Sequence, residues 1–245
     1  MAIPLPAQPK ALPWRVGVIL LPLLLGFAAT PALARQGATV QEILDGRELY
    51  IDQRQARVQQ RAMAPQEIST GRSRGQLLFT SGAGGRLTSF SLLRLGSGCF
   101  QLDRGRILVS GPQSGCTRSA RLSVRDTNYV LAVDGEGAAE IAVLEGSVEV
   151  EPLLDGEPTG ETPTTVEAGQ RLSLSPEGVV LTLIRLSAGD YRRILGGPLF
   201  EGFRTPLPGL TSLESYLRRS LPGVTLPASP LRPSIPGFNM VPRLF

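Results

Sequence analysis

One phrase recurs along this chain: an apolar residue, two variable residues, a glycine, and then two apolar residues one position apart. It reads Leu95–Gly98–Phe100–Leu102, then Leu102–Gly105–Ile107–Val109, then Val143–Gly146–Val148–Val150. A looser copy, Val166–Gly169–Leu172–Leu174, carries one extra residue after its glycine. Alternation at period two is the pattern of a half-buried strand, and a glycine ahead of it marks a tight turn. Such a unit cannot bury its apolar face alone, so its copies must stack over a shared core. The expected fold is all-β, with stacked short antiparallel strands forming a β-sandwich or short β-solenoid. Gly98, Gly105, Gly146 and Gly169 are its expected turns.

The strand pattern fills residues 39–186. Asp45-Gly46 between Val40–Leu44 and Leu49-Tyr50-Ile51 reads as a hairpin, with a short helix over Val40–Leu44 as the alternative that periodicity leaves open. Ser81–Gly85 reads as a glycine-rich loop, and the proline- and glycine-rich stretch after Leu153 as another. Composition changes at Ser187. Ser187 with Asp190 is expected to cap a short helix through Leu195, and Thr211 with Glu214 to open a second helix ending near Leu221. Residues 187–221 are thus a small helical appendage. Six prolines from Pro222 to Pro242 exclude regular structure beyond it, so 222–245 reads as a Pro-rich disordered tail.

The first 34 residues read as an address. Lys10 and Arg15 flank an uncharged apolar run from Val16 to Ala29, and Ala32 and Ala34 fit the small-residue cleavage pattern of a signal peptide. The alternative is a retained membrane anchor, since Val16–Ala34 is just long enough to span a bilayer. Both readings place the rest of the chain outside the cytoplasm, periplasmic or secreted. Cys99 and Cys116, the two cysteines, then read as a structural disulfide.

Composition excludes much chemistry. The chain has no histidine, which removes the commonest general base, the commonest zinc ligand and every serine–histidine triad. Its one lysine, Lys10, lies in the leader. Aromatics make up 5%, too few for a base-stacking platform, and no groove-reading motif appears, so nucleic acid is not an expected partner. Gly71-Arg72-Ser73-Arg74-Gly75 spells a hydrolase elbow, but it lacks a histidine partner and leads from loop into strand. Glu145, Glu149 and Glu151 alternate as if along one strand and read as a solvated face rather than a calcium site. No catalytic, cofactor or metal residue is assigned. A carboxylate pair, Asp103 with a downstream glutamate, is the weakest enzymatic reading.

Charge is distributed in blocks. Residues 35–125 hold 14 arginines against 6 acids, 126–190 hold 2 against 13, and 191–245 hold 7 against 2. One reading is a basic surface for anionic glycan or lipid, with Arg72, Arg74 and Arg86 as candidate anion contacts. The other is that the blocks fold together and neutralise each other across strands.

Five segments, in order, resemble the FecR domain family. Ser69–Phe79 resembles its opening TG-x-S-x-x-x-L-x-F, and Leu102–Val109 its L-x-x-G-x-h-x-V. Asp126–Val130 resembles GT-x-F/Y-x-V, with aspartate where the family has glycine. Val143–Val150 matches V-x-EG-x-V-x-V, and Val166–Gln170 matches V-x-AGQ. The resemblance implies a non-enzymatic extracytoplasmic module of envelope signalling or assembly, acting through contacts with an envelope protein. The stretch ahead of Val16 is too short for the sigma-regulating cytoplasmic part of the best-known members, so that role is not implied. A glycan- or polyanion-binding module is the alternative.

Overall fold

The computed structural model describes residues 36–154 and 156–227. The leader assigned to 1–34 and the tail from residue 228 lie outside the described residues. The first strands are β1 (Gly37–Leu44), β2 (Leu49–Ile51), β3 (Arg54–Gln55), β4 (Arg61–Met63), β5 (Glu67–Thr70) and β6 (Arg74–Phe79). Then come β7 (Gly84–Leu87), β8 (Leu92–Leu95), β9 (Phe100–Gly111), β10 (Gly115–Cys116), β11 (Ala120–Val124) and β12 (Thr127–Val133). The last are β13 (Ala139–Glu145), β14 (Ser147–Leu154), β15 (Glu157–Pro158), β16 (Thr164–Glu167), β17 (Gln170–Leu174) and β18 (Val180–Arg185). Two helices follow, α1 (Ala188–Leu195) and α2 (Leu210–Ser220).

The pairings give two layers. One runs β4-β1-β6-β7-β9-β12-β13-β17-β18, antiparallel throughout. The other runs β3-β2-β5-β8-β9-β10-β11-β14-β16, antiparallel except for the parallel pair β9–β10. Of the two expected arrangements this is the sandwich. Strand β9 belongs to both layers. Its first part, Phe100–Arg104, pairs with β8, and its second, Gly105–Gly111, with β12. One core fills the space between the layers: Leu77, Ile107, Leu131, Ile141 and Leu172 from the first meet Leu49, Ile68, Leu102, Val148 and Val166 from the second. Phe79 and Phe100 stack between them with ring centroids 5.5 Å apart.

The recurring glycines have a more specific job than turning a hairpin. Gly105 sits inside β9, where the strand passes from the second layer to the first. Gly146 links β13 of the first layer to β14 of the second, and Gly169 links β16 back to β17. Gly146 has φ +85°, and a Cβ there would lie 3.0 Å from the Asp126 carbonyl oxygen, so the crossing requires glycine. Gly98 differs: its φ lies outside the left-handed region, and a Cβ would meet nothing within 4 Å.

Several sequence expectations are corrected. Asp45-Gly46 does not close a hairpin, because β1 and β2 join different layers. The glycine run is not a loop from Ser81 to Gly85: Gly84 and Gly85 open β7, a central strand. A Cβ on Gly84 would lie 2.5 Å from Leu207 Cδ2, so the bare backbone lets Leu207 and Pro208 cover the strand. Glu145 lies on β13 and Glu149 and Glu151 on β14, so these acids do not share one strand.

A second apolar cluster lies on the outer face of the first layer. Leu108, Val130, Ala142 and Leu144 alternate with core residues and receive Tyr191, Leu195, Leu199, Leu207, Leu213 and Leu217 of the helical appendage. The middle strands of this layer are therefore buried on both faces. Helix α1 has the expected capping box, with Ser187 Oγ accepting from Asp190 N–H and Asp190 Oδ2 accepting from Ser187 N–H. Helix α2 has Gly209 rather than Thr211 at its N-cap, with Thr211 inside the helix and no side-chain cap. Residues 222–227 are not a disordered start to the tail. Val224 is buried in the second cluster and its N–H donates to Leu221 O.

Candidate functional site

The most elaborated polar arrangement lies where the appendage meets β1, β6 and β7. Arg74 on β6 donates through Nε and Nη2 to the Asp45 carboxylate, at 2.5 and 3.2 Å. Its Nη1 donates to the carbonyls of Pro198 (2.6 Å) and Glu201 (2.8 Å). On β7, Arg86 donates through Nε to Gln76 Oε1 (2.9 Å), and through Nη1 and Nη2 to the carbonyls of Leu199 (3.2 Å) and Thr205 (3.0 Å). From β1, Glu42 accepts the backbone N–H groups of Arg204 (3.1 Å) and Thr205 (2.9 Å). Three side chains on one sheet face thus hold the connection between the helices by its backbone.

Arg86 is 4% exposed and has no carboxylate within ion-pair distance among the described residues. Burial lowers its pKa to about 10, opposed by the nearby Glu42 charge and helped by Arg74. It remains a cation at neutral pH. The Phe203 ring covers both guanidinium groups, 4.4 Å from Arg86 Cζ and 5.5 Å from Arg74 Cζ.

Beside this clamp opens a cleft of about 750 Å³. Phe200, Leu207, Leu217, Val224 and Leu226 contribute apolar walls, and Arg86 reaches its lining. The arrangement can receive an apolar group beside a fixed positive charge. Its hydroxyls, Thr211 and Thr225, have no imidazole to activate them, because the chain contains no histidine.

A second, smaller groove of about 290 Å³ is lined by Arg94, Arg104 and Arg118 together with Asp103, Asp134 and Glu136. Opposite charges are matched in number there. Asp103 is held by Arg94 (3.1 Å) and Gln101 (2.8 Å), and Asp134 caps the N–H groups of Glu136 and Ala138 (2.9 Å each). Across β11 and β14, Arg121 pairs with Glu151 at 2.9 Å, joining the basic and acidic sequence blocks.

The three candidate anion contacts do not form one cluster of free cations. Arg74 and Arg86 spend their donors on the appendage, whereas Arg72 is exposed and its backbone N–H donates to Glu48 Oε2 (2.7 Å). Ser73 of the elbow-like motif is buried, and its hydroxyl accepts from Glu48 N–H (2.9 Å). Cys99 and Cys116 form a disulfide with Cα atoms 5.9 Å apart. Sequence reasoning missed Glu42, Asp45 and Phe203. The partners in the Glu42 contacts are 162 and 163 positions apart, beyond any local pattern. Phe200 and Phe203, in a stretch rich in glycine and proline, were the readable sign of an apolar plug.

No protein-family model matches the chain, and no curated protein matches it. Two crystal structures, at 1.65 and 2.50 Å resolution, are similar in part. Both are described as a "putative anti-sigma factor" from Parabacteroides distasonis ATCC 8503. Each aligns at 17% identity with a TM-score of 0.44, covering 62% of this chain and 73% of the other.

Proposed function

We propose that this protein is a FecR-like extracytoplasmic module that acts in envelope signalling or assembly through protein contacts, not as an enzyme. The observation that carries the reading is the placement of three family-like segments. The glycines of Leu102–Val109, Val143–Val150 and Val166–Gln170 all fall where the chain crosses between the two layers. The resemblance therefore coincides with the positions that define the topology, not with interchangeable surface. The disulfide agrees with an oxidising compartment. Among the described residues no helix is long and apolar enough to cross a membrane.

The non-enzymatic reading is supported by how the polar groups are employed. Arg74, Arg86, Glu42 and Asp103 are bonded to neighbouring protein groups, and the chain has no histidine to act as a base beside them. The test is cell fractionation joined to affinity capture from envelope extracts, using the full chain and a form lacking residues 228–245, which keeps the packed Leu221 and Val224. The expected result is an extracytoplasmic protein beginning after residue 34, without free thiols, that retains a defined envelope protein. A cytosolic product with two reactive thiols, or one that turns over an envelope substrate, overturns it.

A further inference from the structure

Nine large apolar side chains stand exposed among the described residues, and five belong to one short segment: Val179, Val180, Leu181, Leu183 and Ile184. Leu181 is 60% exposed and Val179 58%. Every residue of β18 is exposed. The strand closes the first layer, pairs with β17 along one edge, and has no described strand along the other. Leu183 lies opposite the core residue Leu172 and Ile184 opposite Arg171, so apolar side chains project from both faces of the strand.

The backbone of that edge is also available. Leu186 N–H donates inward to Gly169 O at 2.7 Å. By alternation, Arg185 and Leu183 turn their N–H and C=O groups away from β17. Exposed edges are ordinarily guarded by lysine, proline, brevity or a β-bulge. Strand β18 carries one bulge, at Leu181, where its register with β17 shifts, and runs regularly from Thr182 to Arg185. Here no proline or charge interrupts the run from Val179 to Ile184. A contiguous apolar edge of this kind is a contact surface awaiting a strand.

The charges at its ends select the occupant. Glu177 stands in the turn that enters β18, and Arg185 ends it. Neither has an ion partner at salt-bridge distance among the described residues. A second copy laid antiparallel brings the Glu177 end of each strand to the Arg185 end of the other, twice by symmetry. A parallel copy would set like charges together. We propose that β18 is a homodimer edge, where two copies pair antiparallel about a two-fold axis and join their first layers into one sheet. A contact built on one strand is small beside the ~1,200–2,000 Å² of stable complexes. The dimer is therefore weak and dependent on concentration.

Sedimentation velocity on the purified full chain, across a concentration series, tests this. The wild type is expected to move from monomer to dimer. Leu181→Lys and Ile184→Lys, at exposed positions that leave the fold intact by circular dichroism, are expected to remain monomeric. Glu177→Arg and Arg185→Glu are each expected to weaken the dimer about tenfold, and the double exchange to restore it. Hydrogen exchange should show the Leu183 and Arg185 amides protected only in the dimer. A wild type that stays monomeric, a dimer indifferent to Leu181→Lys, or a double exchange that fails to restore association overturns the proposal.

Discussion

Phe203 lies over Arg86 with 4.4 Å between its ring centroid and the guanidinium carbon, while the same guanidinium holds the Leu199 and Thr205 carbonyls. The aromatic ring and the cation together fasten the helical appendage to the sheet. Arg86→Met would leave Gln76 Oε1 and two carbonyls without their donor. It is expected to lower stability by about 3 kcal/mol, read by chemical denaturation. The loss should come with faster amide exchange in 198–205. Arg72→Met, at an exposed position, should change stability by less than about 0.5 kcal/mol.

Acid should loosen the appendage before the sandwich. Hydrogen bonding to Arg74 lowers the Asp45 pKa, and hydrogen bonding to Ser187 lowers that of Asp190, both below the ordinary aspartate range. A carboxylate with a lowered folded-state pKa stabilises fully above its unfolded value, and the contribution is lost as pH falls through the lowered one. Below about pH 4, amide exchange in α1 and 198–205 should rise while the β9 and β12 amides stay protected. Simultaneous exposure of all of them would count against separate loosening.

Alkali should act through the buried phenols. Tyr129 and Tyr191 donate to the carbonyls of Gln113 (2.7 Å) and Leu144 (2.9 Å). Burial raises both pKa values well above 10.0. The unfolded chain therefore ionises first, and stability falls as pH rises above that value. In a spectrophotometric titration, two of the four tyrosines should ionise only with unfolding.

Reducing the Cys99–Cys116 bridge opens a loop with a sequence separation of 17. The expected loss is about 3 kcal/mol, measured by denaturant titration with and without reductant. The double Cys→Ser variant should match the reduced protein.

Two glycines from the same repeated phrase should respond differently. Gly146→Ala strains a residue at φ +85° and presses on Asp126, and should cost about 2 kcal/mol. Gly98→Ala has open space and an ordinary φ, so it should be neutral or stabilise by up to about 1 kcal/mol. Equal effects in thermal melts would contradict the distinction between them.

That contrast shows what the sequence carried. Stretches such as Phe100–Arg104 and Ser147–Val150 were readable because buried apolar residues alternate with polar ones. Strand β7 was hidden, since Gly84 and Gly85 replace the side chains that would have signalled it and their value appears only beside Leu207 and Phe79. Asp45-Gly46 announced a turn correctly. It could not say that the flanking strands enter different layers, which tertiary packing decides. At the site, Arg86 was legible as a cation beside glycines, but its carbonyl partners are 113 and 119 positions away. The appendage was visible through the Ser187–Asp190 cap. Its docking face was not, because Leu108, Val130 and Leu144 merely lengthen apolar runs.

Strand β9, shared between both layers, has a mechanical consequence. Neither layer can slide or peel from the other without tearing Phe100–Gly111 from its neighbours on one side. A tug delivered to either end of the sandwich is therefore transmitted whole, as through a rivet passing through two plates.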